Sequence, residues 1–152
     1  MKKIVLPVSL VLFAVLLSVA SCTSTKETVE ISDREKSYFD QKEGDTITIA
    51  SEETEYEIII IEPGFNIWLQ GIARPPGYYS QSFLETRNQL LVTNWNIRVQ
   101  NPQLYDPNLY ILTIDYNPRI DYGYEVNYKL YNYFVFFQRK YGQRLGPFFP
   151  RI

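Results

Sequence analysis

The sequence predicts a small single α+β domain, with an N-terminal β-hairpin packed on about three helices. Three observations predict it. Residues 46–61 alternate apolar and polar, then become β-branched, as strands do. Residues 65–72 and 84–99 repeat apolar side chains at helical spacing. Residues 124–142, "YEVNYKLYNYFVFFQRKYG", put an aromatic stripe on a third helix and end in glycine.

Ahead of the domain, residues 1–21 read as an export signal. Lys2 and Lys3 precede an apolar stretch, Ile4 to Leu17, that is short for a membrane span, and "SVASC" follows. Val19, Ala20 and Ser21 before Cys22 match a bacterial lipobox, so Cys22 is the expected site of lipidation and of attachment to the membrane. Cys22 is also the one cysteine of the chain, which leaves no disulfide for the domain. Residues 22–45 are polar, with few aliphatic side chains, and are expected to form a tether. The domain is then 46–152. Residues 23–62 hold 12 acids and 4 bases, whereas residues 63–152 hold 5 acids and 9 bases. A solvated acidic tether lies beside a mildly basic domain, or the acidic arm folds back onto the domain's arginines, or those arginines meet an anionic partner.

The hairpin is "TITIA", a polar turn, and Tyr56 to Ile61. Glu62-Pro63 starts a helix that carries Phe65, Trp68, Leu69 and Ile72 on one face, and "RPPGYY" breaks it. The next helix starts near Ser82, which forms a capping box with Glu85, and aligns Leu84, Leu91, Trp95 and Val99 until Pro102. Three Asx-Pro steps then mark a loop-rich connection, in which 109–115 is either a short strand or a helical turn.

In the last helix Leu130, Phe134, Phe137 and Tyr141 share a stripe beside Tyr124, Tyr128, Tyr131 and Val135. Glu125, Lys129, Asn132, Arg139 and Lys140 lie opposite, interrupted by Phe136. Phenylalanine can be buried whole, whereas a tyrosine hydroxyl must find a partner or reach water. The expectation is a phenylalanine core with a binding rim of Tyr124, Tyr128, Tyr131, Arg74 and Arg119. Should those tyrosines be structural, the surface passes to Arg74, Arg87, Arg98 and Arg119.

The stretches "YEIIIIEPGF", "GYYSQSFLE", "NWNIRV" and "IDYNPRIDYGYEVNYKLYNYFVFFQRKYG" together resemble an uncharacterised family of lipid-anchored proteins from Gram-negative bacteria. The likeness runs from about Tyr56 to Leu145. It implies a lipoprotein with one compact domain, and brings no activity or catalytic residue.

Chemistry is narrowly bounded. The chain has no histidine, which removes imidazole bases and histidine-ligated metals. Asp115, Asn117, Asp121 and Glu125 have the spacing of a calcium loop. However, Arg119 sits where a ligand should be and Ile120 where glycine should be, so the acids read as turn and cap residues. No metal, cofactor or nucleic-acid site is expected, and no catalytic residue. The expected function is a non-catalytic binding or structural module of the cell envelope, held on the periplasmic face of the outer membrane, with an envelope protein or glycan as partner. The alternative is a carboxylate-dependent hydrolase of envelope glycan, with Glu85 and Glu125 as the available glutamates.

Overall fold

The computed structural model describes residues 29–42, 46–51 and 54–152. Among these, four helices occur: α1, Asp33–Phe39; α2, Phe65–Gly71; α3, Gln81–Val99; and α4, Gly123–Lys140. The signal segment, Cys22 and the start of the expected tether lie outside the described residues.

The aromatic run folds as α4, and α4 is the axis of the molecule. Leu130, Phe134, Phe136 and Phe137 are all but fully buried, each stabilising the fold by about 1.5–3 kcal/mol. Trp95 of α3 packs against Tyr133, Phe134 and Phe137, with the Phe137 ring centroid 4.8 Å away. The polar side expected of α4 is only partly polar. Glu125 and Lys129 pair at its edge, but Asn132 and Arg139 are buried. Phe136 is the reason: it takes Phe65 and Trp68 of α2 and Phe39 of α1 against itself.

The expected α+β class is overturned. Every described core residue comes from the helices or from the loops and tail around them, so the packed body is helical. Thr46–Ser51 and Thr54–Ile61 pair antiparallel as a ribbon, from Thr46↔Ile61 to Ala50↔Glu57. The β-branched run suggested a hairpin packed on the helices, but a two-stranded ribbon is marginal by itself and none of the described core residues comes from it. Interlocked aromatic rings of the helices fill the described interior instead.

The polar stretch expected to be a tether contains α1. Ser32 caps it, its hydroxyl accepting from the Glu35 amide at 3.2 Å, and Tyr38 and Phe39 pack on the core. The Glu35 carboxylate has no solvent exposure and is gripped by Arg139 at both oxygens, 2.5 and 2.6 Å. Trp68 Nε1 donates to the same carboxylate at 3.0 Å. Of the readings of the acidic arm, the described part follows the one in which it folds back. Few aliphatic side chains are needed because the buried ion pair and two rings make the contact.

Three boundaries move. Helix α2 begins at Phe65 instead of Pro63, because Gly64 takes φ +83°, and a Cβ there would stand 1.9 Å from the Tyr38 carbonyl oxygen. Ser80, not Ser82, caps α3, accepting from the Phe83 amide at 3.3 Å. The Glu85 side chain accepts instead from Gln81, so there is no capping box. Residues 109–115 are neither strand nor helical turn. The Asn96 side chain donates to the Ile114 carbonyl and accepts from its amide, at 2.9 and 2.8 Å, satisfying backbone that a strand would have satisfied.

Candidate functional site

Two cavities flank α3. The first, of about 390 Å³, lies between α3, α4 and the C-terminal tail. The tail is placed by three devices. Gly142 takes φ +59° and ends α4. The buried Gln138 side chain accepts from the Leu145 amide at 2.8 Å, turning the chain back. Gly146 then crosses Leu90 so closely that a Cβ would meet it at 2.8 Å. Beyond that crossing, Pro147 to Arg151 form the cavity wall, and Arg139 holds the wall by donating to the Pro150 carbonyl at 3.0 Å.

The opposite wall comes from the start of α3. Tyr79 and Phe83 stack face to face at 4.6 Å, and Tyr131 of α4 meets Tyr79 edge-on at 5.4 Å. Leu91 and Val135 line the apolar base. Arg87 stands between the walls, its guanidinium 3.3 Å from the Phe148 ring centroid and 5.0 Å from that of Phe83. Burial, then the neighbouring Tyr79, pushes the Tyr131 phenol well above its ordinary range, so it keeps its proton. No aspartate or glutamate lines this cavity among the described residues.

The second cavity, of about 500 Å³, is polar and lies between the start of α3 and the loop 116–121. Gln81 Nε2 donates to Glu85 and to Asp121, each at 2.8 Å. Tyr116 is pushed up to about 12, first by burial and then by the Glu85 charge. Its hydroxyl donates to Asn127 at 2.7 Å.

The expected rim is not one surface. Arg74, Tyr124 and Tyr128 gather at the loop after α2, where the Tyr128 hydroxyl donates to the Arg74 carbonyl and the Tyr124 hydroxyl accepts from the Gly77 amide. Those tyrosines stack on each other at 6.0 Å and hold a loop in place. Tyr131 alone of the rim belongs to the aromatic cavity, and Arg119 belongs to the polar one. The fallback arginines separate too. Arg87 enters the aromatic cavity, whereas Arg98 bonds Tyr110 and the Arg144 carbonyl. Glu125 is an exposed partner of Lys129 at 2.5 Å, and the carboxylate near Glu85 is Asp121. Two of the four residues weighed as a calcium loop form turns: Asn117 accepts from the Arg119 amide and Asp121 from the Gly123 amide. No group of three acids, cysteines or histidines placed to hold a metal occurs among the described residues. Sequence reasoning missed Phe148, Phe149 and Pro150. Their one local signal is an aromatic pair bounded by prolines beyond the last helix.

A family model described as a family of unknown function (DUF6146) matches residues 10–148. No curated protein and no solved structure matches the chain. No helix among the described residues is long and apolar enough to cross a membrane.

Proposed function

The chain belongs to the DUF6146 family of unknown function, and we propose that it works by binding, as a non-catalytic, lipid-anchored module of the bacterial cell envelope. The observation that carries this reading is the aromatic cavity. It presents ring faces, two prolines and the arginines Arg87 and Arg151, and among the described residues its lining has no paired carboxylates or nucleophile–base pair with which to do chemistry. The anchor half of the reading rests on the order of the leader: two lysines, an apolar run, then Ala-Ser-Cys at 20–22. On this reading the outer membrane holds Cys22, the domain faces the periplasm, and an envelope protein or glycan occupies the cavity.

Each half has its own test. Wild-type protein grown with labelled palmitate should take up label and fractionate with membranes, and Cys22→Ala should do neither. Label retained on the alanine variant would sink the anchor. For binding, crosslinking of envelope components to the full chain should be lost in Phe148→Ala with its melting curve kept near wild type. Crosslinking that survives this change would remove the cavity as the binding site.

A further inference from the structure

We propose that the aromatic cavity takes a ligand bearing an oxyanion, a carboxylate or phosphate, on a ring or short apolar body, and that Arg87 grips the oxyanion edge-on. This deepens the binding reading and rests on it. The Arg87 guanidinium packs against two rings. Its central carbon lies 3.3 Å from the Phe148 ring centroid and 5.0 Å from that of Phe83. A guanidinium carries its five donors in the plane, so stacking leaves the donor edge available. Arg87 makes no hydrogen bond or ion pair with any described residue.

Other arginines show what this chain does with a structural guanidinium. Arg139 is engaged by Glu35, Glu30 and Pro150; Arg144 donates to the Gly146 and Pro147 carbonyls; Arg74 donates to the Ile152 carbonyl. Arg87 packs against rings instead, and the cavity it lines has no acidic side chain among the described residues. A guanidinium with no acid beside it in its cavity favours an anion, and the planar fork matches two oxygens of a carboxylate or phosphate. The rest of the lining sets the body of the ligand. Tyr79, Tyr131, Leu91, Val135 and Phe149 offer ring faces and aliphatic surface.

The test titrates the full chain, by chemical-shift perturbation, with phenyl phosphate, 3-phenylpropionate and the neutral 3-phenylpropan-1-ol. The anions should bind at least about tenfold tighter than the alcohol. Arg87→Gln should remove that preference while leaving the alcohol unchanged, and Phe148→Ala should weaken all three. Arg87→Lys, which keeps the charge without the fork, should fall between wild type and glutamine; it also stands in if the glutamine variant melts early. Binding of one anion only would support the proposal and identify the headgroup. Equal affinity for anions and alcohol, or anion binding indifferent to Arg87, would overturn the oxyanion while leaving the cavity as a binding site. If none of the three binds, the cavity reading falls with it.

Discussion

Arg139 reaches three separate parts of the chain: the Glu35 carboxylate in α1, the Glu30 carbonyl before it, and the Pro150 carbonyl in the tail. Removing one partner of such a pair leaves a buried charge uncompensated, so Glu35→Ala should cost about 3–5 kcal/mol in urea denaturation. Glu35→Leu with Arg139→Met should recover part of that loss. Full recovery is not expected, because the Glu30 and Pro150 carbonyls lose their donor. A cost below about 1 kcal/mol for Glu35→Ala would mean that the pair is solvated. The ring positions divide similarly. Phe134→Ala and Phe137→Ala, both at buried sites, should each cost about 3–5 kcal/mol. Tyr124→Phe, which forfeits only the bond from Gly77, should cost about 1 kcal/mol. Comparable losses at all three would contradict the division between packed core and loop tie.

Helix α1 is short, and its seven residues are too few to stand alone in water. Its stability comes from docking, and so must part of the domain's. Deleting residues 29–42 should therefore lower the melting temperature by about 10 °C, as the loss of a few kcal/mol does in a domain of this size. An unchanged melt would return the segment to the status of a tether. The local signal was present in Ser32-Asp-Arg-Glu35, which has the form of a capping box. The partner of Glu35 lies 104 residues away, however, and no local pattern carries that separation. Helix α4 was legible for the opposite reason. Its period, its terminal glycine and its basic last turn all agree along one stretch of chain. The polar side of α4 misled because Asn132 and Gln138 satisfy themselves on carbonyls one turn back, at 2.8 and 3.0 Å, and so can be buried.

At the scale of the whole molecule, the interior is a network of phenols as much as of phenyl rings. Burial raises Tyr131, Tyr133 and Tyr141, and Tyr116 to about 12. A raised native value means that the folded chain holds protons which the unfolded chain releases near pH 10. Stability is then fully present below pH 10 and falls as pH rises from 10 towards 12. Melting temperatures measured from pH 8 to 11.5 should be level at first and then drop, and phenolate absorbance should rise together with loss of helical circular dichroism. Ionisation of all 13 tyrosines near pH 10 with the helical signal intact would refute it.

The sequence by itself determined what depends on neighbours a few residues apart: helices over the runs at 65–72, 84–99 and 124–142, and the Asx turns at Asn117 and Asp121. It also bounded the chemistry, since a chain without histidine and with one cysteine has few catalytic groups to arrange. The tertiary structure alone decided which faces those helices bury, and with that the fold class. Phe136 looks misplaced on a polar side until α1 and α2 cover it. Tertiary structure likewise decided the site: Tyr79, Arg87, Tyr131 and Phe148 come from separate places in the chain and share a cavity where the tail crosses α3 at Gly146. Periodicity reports a side chain's direction from its own helix, whereas burial and binding depend on what lies in that direction.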